Sequence, residues 1–97
     1  FNLYPSDLEA VLSQHPQVKE AAVVGVPSRE WGETPVAYVV LRDGPPVSAE
    51  ELLQWYQQRV GKTQRLSALH FLQELPRSAI GKVLKRELRD LSPSVAP

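Results

Sequence analysis

The sequence predicts an α+β domain in which helices pack on a small sheet of about three strands. Two valine-rich apolar runs, residues 20–26 and 36–41, are typical of β-strands, and the loop between them is too short for a crossover helix. Three other stretches carry apolar residues at helical spacing. The resulting order is helix, strand, strand, helix, strand, helix. It predicts that the first two strands pair antiparallel.

The first helix is predicted over about residues 7–14. Ser6 and Glu9 match a capping box, in which each side chain bonds to the backbone N–H of the other residue. Apolar residues then recur at helical spacing until Pro16 ends the run: Leu8, Val11 and Leu12.

Three strands are predicted from apolar runs and the turn residues that flank them. Residues 20–26 (EAAVVGV) are apolar without alternation after the glutamate, which predicts a strand covered on both faces and central in the sheet. The loop at residues 27–35 (PSREWGETP) separates it from the second strand at residues 36–41. Residues 69–72 predict a short third strand, so that His70 is interpreted as a strand residue and not as a ligand.

The second and third helices follow from capping signals and spacing. Ser48 and Glu51 form a second capping box, and Gly61 is placed to end the helix that follows. Its expected core face consists of Leu52, Leu53, Tyr56 and Val60. The last helix is predicted over about residues 83–91. We expect residues 1–91 to form the domain, with a frayed tail at residues 92–97 that contains two prolines.

Composition argues against several classes of function. The 97 residues carry 11 basic and 11 acidic side chains, so the overall charge indicates neither a nucleic acid nor a membrane surface as partner. Without cysteine and with two distant histidines, the chain is not expected to hold a metal. No apolar run approaches the roughly 18 residues of a membrane span, and no signal-peptide pattern begins the sequence. The cytoplasm is the expected compartment.

The segment PRSAIGKVLKREL, residues 76–88, contains the candidate reacting group. In the overlapping 13-residue window from position 77 to position 89, which holds one acid, fall five of the 11 basic residues: Arg77, Lys82, Lys85, Arg86 and Arg89. This cluster is either a local anion site or a solvated helix face, and composition alone favours the solvated face. Lys82 differs from the others because it follows Gly81 in a loop before the helix. A loop lysine is suited to following a phosphoryl oxygen as negative charge moves during a reaction.

Two other segments are candidate contact surfaces. Trp31 lies in the loop between the first two strands, and the sequence leaves a partly buried core role and a contact role equally open. Residues 62–65 place two positive charges in a connection, where they can hold a phosphate or keep the loop solvated. Ser78 has no histidine near it in sequence, so a nucleophile–base pair is not indicated.

Four segments, taken together and in order, resemble one family. They are the helix start YPSDLE, the strand HPQVKEAAVVGVP, the WGE loop and the ending ELPRSAIGKVLKRELR. From residue 1 to about residue 91 the chain is similar to the small C-terminal domain of the AMP-forming acyl-CoA synthetases. These belong to the adenylate-forming enzymes, which include luciferases and the adenylation domains of peptide synthetases.

The resemblance implies a two-step reaction. A carboxylic acid and ATP give an acyl-adenylate and pyrophosphate, and the thiol of coenzyme A (CoA) then displaces AMP. In the family, the lysine of the Gly-Lys pair, here Lys82, enters the active site for the first step. A cation there offsets the repulsion between carboxylate and α-phosphate. The domain then rotates to present another face, on which the resemblance places Trp31 at the pantetheine arm and Arg65 near the CoA phosphates.

The resemblance also implies what this chain lacks. Many relatives have an aromatic-Lys-x-Pro pattern where this chain has Thr63-Gln64-Arg65-Leu66, so only Arg65 keeps positive charge there. The acid pocket, most adenine contacts and the Mg²⁺ site of the family belong to a larger N-terminal domain, and the 97 residues alone are expected to be inactive. Some members are switched off by acetylation of the lysine, in a context with Pro76 six positions before it and Gly81 directly before it.

Two alternatives to a CoA ligase remain. A peptide-synthetase adenylation domain would transfer its acyl group to a carrier-protein thiol, although the YPSDLE and WGE forms favour a CoA ligase. A non-catalytic module would instead present the basic helix to an anionic partner.

Overall fold

The computed structural model describes residues 4–30 and 32–91 of the chain. In this part of the chain the elements are α1 (Pro5–Leu12), β1 (Val18–Ser28), β2 (Gly32–Leu41), α2 (Ala49–Gln57), a 3₁₀ turn (Lys62–Gln64), β3 (Ala68–Phe71) and α3 (Lys85–Leu91). The predicted α+β class and the predicted order of helices and strands are confirmed. The division into a domain at residues 1–91 and a frayed tail stays a prediction, because residues 92–97 lie outside the described residues.

The three strands form one mixed sheet in the order β1-β2-β3. β1 pairs antiparallel with β2, as predicted, and β2 pairs parallel with β3. The prediction that β1 is central was wrong, since β2 occupies that position. The apolar run in β1 indicates that both faces of the strand are covered. A strand at the edge of the sheet can also be covered on both faces, so this pattern does not show that the strand is central.

Helices cover both faces of the sheet. Successive side chains of each strand point to opposite faces, so each strand contributes to both cores. We call the side that packs against α1 and α2 the α2 face. Its buried residues are Leu8, Leu12, Val18, Val23, Ala37, Val39, Leu52, Tyr56, Leu66 and Leu69. We call the side that packs against α3 the α3 face. Its buried residues are Ala22, Val24, Val26, Val36, Tyr38, Val40, Leu75 and Leu88.

Helix α1 begins two residues earlier than predicted and has a different cap. Tyr4 is the N-cap residue and Pro5 occupies the first turn, where its missing N–H removes no helical hydrogen bond. The capping box predicted at Ser6 was therefore wrong. The Glu9 carboxylate instead accepts a hydrogen bond from the Val23 N–H at 2.9 Å. It also pairs with the Lys85 ammonium at 2.7 Å.

Helix α2 has the predicted capping box but ends earlier than predicted. The Glu51 N–H donates to Ser48 Oγ at 3.1 Å, and the Ser48 N–H donates to Glu51 Oε1 at 3.2 Å. The helix ends at Gln57, and Gly61 instead precedes the 3₁₀ turn. Of the expected core face, two residues are buried and two are partly buried: Leu52 and Tyr56, and Leu53 and Val60, respectively.

The last two elements lie close to their predicted positions. β3 contains His70 as a strand residue, as predicted. The residue is exposed, and the centre of its ring lies 5.5 Å from that of Tyr38. Helix α3 begins at Lys85 and not at Val83, because Val83 forms a β-bridge with Arg77.

Candidate functional site

Residues 76–84 form a tight turn of antiparallel backbone, which we call the Lys82 hairpin. One β-bridge and two backbone hydrogen bonds close it: Arg77 with Val83, the Ser78 N–H to the Lys82 carbonyl (2.8 Å), and the Leu84 N–H to the Pro76 carbonyl (2.9 Å). The candidate lysine therefore lies in a loop, as predicted, but in one whose backbone is hydrogen-bonded.

Gly81 makes this hairpin geometrically allowed. Its N–H donates to the Ser78 carbonyl at 2.9 Å, and its φ angle is +87°, in the left-handed region. A three-residue hairpin loop commonly ends in a left-handed residue, and glycine adopts this conformation without a Cβ penalty. A Cβ at this position would have no atom within 4 Å, so the requirement for glycine comes from the backbone angle alone.

Lys82 has a held backbone and an exposed side chain. Its carbonyl accepts from the Ser78 N–H, and its own N–H donates to Ser78 Oγ at 3.3 Å. Among residues 4–30 and 32–91, no carboxylate forms an ion pair with the Lys82 ammonium. This geometry presents a positive charge from a defined point of attachment.

Arg77 connects the Lys82 hairpin to the sheet. Its Nη1 donates to the Gly81 carbonyl at 2.7 Å, and its Nη2 forms an ion pair with Glu20 Oε1. Glu20 belongs to β1 and lies 57 positions away in the sequence. The sequence analysis counted Arg77 only as one charge of a basic segment. The local sequence around either residue gives no signal for this ion pair, because the two residues are far apart in the chain and meet only in the folded sheet.

Within residues 4–30 and 32–91, some side chains of the basic segment form ion pairs and others do not. Arg77 pairs with Glu20, and Lys85 pairs with Glu9. Arg86 and Arg89 lie exposed on α3, which confirms that the helix carries them. The segment is therefore not one uniform anion-binding patch.

Arg65 lies exposed between the 3₁₀ turn and β3, and α2 fixes the residues on either side of it. The Tyr56 hydroxyl donates to the Gln64 carbonyl at 2.7 Å. The Gln57 side-chain amide donates to the Leu66 carbonyl at 2.9 Å and accepts from the Leu66 N–H at 3.3 Å. Burial disfavours the phenolate and raises the pKa of Tyr56 to about 12. These hydrogen bonds from α2 thus fix the position of the backbone at Arg65.

Two residues of the WGE segment, Gly32 and Glu33, belong to β2, which begins four residues earlier than predicted. Trp31, the predicted contact for the pantetheine arm, lies outside the described residues. Glu33 is described, and its side chain lies over Gly25 of the neighbouring strand. A Cβ at Gly25 would lie 2.4 Å from Glu33 Cδ, so the absence of a side chain there allows this close approach.

Residues 64–66, which we call the Arg65 segment, lie on the opposite side of the sheet from the Lys82 hairpin. Val83 of the hairpin packs against the α3 face. Leu66, next to Arg65, is buried in the α2 face. The structure therefore does not bring Lys82 and Arg65 into one site.

The described part of the chain holds no group of three or more histidine, aspartate or glutamate side chains placed to bind a metal ion. No helix there has both the length and the apolar character that crossing a membrane requires.

A mixed three-stranded sheet with helices on both faces is the architecture that this chain shares with the C-terminal domains of adenylate-forming enzymes. The family model for the AMP-binding enzyme C-terminal domain matches residues 7–82. The chain belongs to this family, which confirms the resemblance seen in the sequence.

Curated relatives of the chain are CoA ligases. A rice (Oryza sativa subsp. japonica) protein named 4-coumarate–CoA ligase-like 9 is 47% identical over 90 residues, which cover 93% of this chain and 16% of the relative. A 2-succinylbenzoate–CoA ligase of Geobacillus kaustophilus is 41% identical over 92 residues, which cover 95% of this chain and 19% of the relative. The chain thus spans less than a fifth of the length of these two relatives.

Solved structures confirm the fold. ATP-bound MatB from Rhodopseudomonas palustris matches with a TM-score of 0.87 and 33% identity, covering 94% of this chain and 18% of that one. The amide bond synthetase McbA from Marinactinospora thermotolerans matches with a TM-score of 0.88 and 33% identity, covering 97% of this chain and 19% of that one. At these identities the likeness extends beyond the fold to the family.

Proposed function

We propose that the chain is the mobile C-terminal domain of a carboxylic acid–CoA ligase. The full-length enzyme forms an acyl-adenylate from its acid and ATP, and then forms an acyl-CoA thioester with release of AMP. Family membership and the CoA ligases among the relatives support this proposal. Because the chain spans 16 to 19% of those relatives, a larger N-terminal domain supplies the acid pocket and most of the ATP site. The 97 residues alone are inactive under this proposal.

Lys82 is the proposed catalytic residue of the adenylation step. The observation that carries this assignment is an exposed ammonium, without an ion-pair partner in the described residues, on a hairpin of fixed backbone. Adenylation brings a carboxylate against an α-phosphate, and both groups are anionic. A lysine ammonium between them offsets their repulsion and stabilises the charge that develops in the transition state. Gly81 supports this role by closing the turn before Lys82.

The second step uses the other side of the domain. We assign Arg65 to the CoA phosphates and Trp31 to the pantetheine arm, as the family resemblance implies. The positions of the hairpin and of Leu66 on opposite sides of the sheet support a rotation between the steps. A substrate that contacts one face of a sheet domain does not reach the other face, so the two residues act in turn.

Mg²⁺ belongs to the larger domain in this proposal. When bound there, it would neutralise part of the phosphate charge of ATP. The described residues of this chain offer no cluster of carboxylates to hold it. The contribution of this chain to the first step is therefore one positioned ammonium.

Replacing Lys82 by alanine tests the proposal in the full-length enzyme. We expect ATP–pyrophosphate exchange to fall about 100- to 1,000-fold, as when one contact to developing charge is removed. Thioester formation from supplied acyl-adenylate should stay within about twofold, because that step does not use the lysine. Lys19→Ala is the matched control, since Lys19 is an exposed lysine on β1. Normal exchange by the Lys82→Ala enzyme would refute the assignment.

Acetylation of Lys82 provides a second arm of the same experiment. Acetylation removes the ammonium charge while it keeps the length of the side chain. Enzyme that carries acetyl-lysine at position 82 is expected to lose exchange and to keep thioester formation. Mass spectrometry of the protein from its native cell checks whether this modification is used. The expected location of the protein in the cytoplasm stays a prediction.

The same assays separate the two alternative functions. A carrier-protein ligase would release its acyl group to a phosphopantetheine carrier and not to free CoA, so each acceptor is offered in turn. The likeness to an amide bond synthetase makes this comparison of acceptors necessary. A non-catalytic anion-binding module would show no exchange in the full-length protein, before any substitution.

A further inference from the structure

We propose that Arg77 is a positioning residue for Lys82, acting through the Gly81 carbonyl and anchored by Glu20. The inference rests on the proposed role of Lys82 in adenylation. It assigns to Arg77 a function other than binding an anion. The arginine holds the peptide group that leads into the catalytic lysine.

The first step of the argument concerns the peptide bond between Gly81 and Lys82. Its carbonyl oxygen accepts from Arg77 Nη1 at 2.7 Å, and its N–H donates to Ser78 Oγ at 3.3 Å. The arginine contact is the shorter of the two and involves a charged donor, which strengthens it. Glycine is the residue whose backbone is least restricted, so this peptide needs an outside contact to keep one orientation. A rotation of the peptide would redirect the side chain of Lys82.

The second step concerns the anchor of the arginine. Arg77 Nη2 pairs with Glu20, which lies in β1 and not in another loop. A guanidinium presents several N–H groups in a rigid fork, so it can hold a carbonyl and a carboxylate at once. Through these two contacts, Arg77 fixes the orientation of the hairpin tip relative to the sheet.

The third step separates positioning from stability. The side chains of Arg77 and Glu20 are 40% and 29% exposed, so solvent screens their ion pair. Such pairs contribute little to global stability. The phenotype of losing Arg77 should therefore appear in the adenylation step and not in unfolding.

The experiment compares Arg77→Ala with Lys85→Ala in the full-length enzyme. Lys85 belongs to the other ion pair of the described residues, has similar exposure, and pairs with Glu9 of α1. Misplacing a reacting group by about 1 Å can cost about 100-fold in rate, so we expect kcat for adenylation to fall about 10- to 100-fold in Arg77→Ala. Under the same assays, KM for ATP, the thioester step and all rates of Lys85→Ala should stay within about twofold.

Two conservative variants test the route of the effect. Arg77→Lys keeps the charge but offers one compact ammonium in place of a fork, so adenylation should lie between wild type and Arg77→Ala. Glu20→Gln leaves the Gly81 contact and weakens the anchor, so a smaller loss is expected. If the two residues act along one route, Glu20→Gln combined with Arg77→Ala should lose no more than Arg77→Ala alone. Glu20→Gln also tests the anchor if Arg77→Ala does not fold.

Lys82→Ala, assayed in parallel, distinguishes the two possible failures. Normal exchange by Lys82→Ala would overturn the proposed function and this inference with it. Loss of exchange by Lys82→Ala with normal exchange by Arg77→Ala and Glu20→Gln would overturn the positioning role alone. Equal loss of both half-reactions in Arg77→Ala, with a lowered melting temperature, would also overturn it, because that is the pattern of a structural role.

Discussion

At the scale of single residues, two exposed glycines near the proposed sites have φ angles of opposite sign. Gly81 has a φ of +87°, whereas Gly61 has a φ of −78°. A Cβ at either position would have no atom within 4 Å. Comparing the two positions therefore isolates the cost of the left-handed conformation from any steric clash.

Alanine at these two glycines should change stability in opposite directions. Gly81→Ala should lower the free energy of unfolding by about 1–2 kcal/mol, because the left-handed region is unfavourable for a residue with a Cβ. Gly61→Ala should raise it by about 0.4–1 kcal/mol, because alanine restricts the unfolded chain and fits the native angle. Urea denaturation of the 97-residue chain, followed by circular dichroism, measures both. A loss of equal size at the two positions would contradict this account of the hairpin.

At the scale of elements, α2 holds the connection that leads to β3. The buried Tyr56 hydroxyl reaches the Gln64 carbonyl, and Gln57 holds both backbone groups of Leu66. These contacts explain why a segment without regular structure, apart from one 3₁₀ turn, keeps Arg65 in a defined place. Burial of the same hydroxyl raises the pKa of Tyr56.

The stability contributed by Tyr56 should depend on pH in the alkaline range. The pKa of the phenol is 10.0 in the unfolded chain and about 12 in the folded one. Below pH 10 both states keep the proton and the contribution is fully present. As the pH rises through about 12, the unfolded state ionises first and the contribution is lost.

The variant Tyr56→Phe isolates this effect. Near pH 8 it should unfold with about 1–2 kcal/mol less free energy than wild type, because the Gln64 carbonyl loses its donor. That difference should shrink between pH 10 and about pH 12, because phenylalanine does not ionise. Urea denaturation across this range measures the difference. Tyr4→Phe is the control, since Tyr4 is 59% exposed, and a constant difference for Tyr56→Phe would contradict the burial effect.

At the scale of the whole molecule, one small sheet carries, on opposite faces, the two segments for which roles are proposed. The Lys82 hairpin lies on the α3 face and the Arg65 segment lies on the α2 face. The Glu9 carboxylate of α1 reaches Lys85 of α3, so an ion pair links helices that cover opposite sides. A domain built in this way can present either segment by turning as a unit.

The isolated chain should fold but not catalyse. Its core includes buried residues on both sides of the sheet, which supports folding of the 97 residues without the larger domain. We expect native circular dichroism and no ATP–pyrophosphate exchange above background, with full exchange by the full-length enzyme under the same conditions. Exchange by the chain alone would show that the acid and ATP sites do not depend on a larger domain.

Local sequence signals succeeded where both partners lie within one turn of the chain. The capping box of Ser48 and Glu51 is such a case, and the structure shows both of its hydrogen bonds. The equivalent pattern at Ser6 failed, because Glu9 found a backbone N–H in β1 and an ammonium in α3. The local sequence around a carboxylate does not indicate which of several donors will lie next to it in the folded chain.

The sequence by itself determined the class of fold, the order of its elements, the family and the candidate lysine. These follow from hydrophobic periodicity and from a Gly-Lys pair in a run of matching segments, all of which are local in the chain. Only the tertiary structure decided which strand is central, which basic side chains are paired, and how the hairpin is held. The reason is that strand order and the contact of Arg77 with Glu20 join residues far apart in sequence, and packing alone brings them within reach.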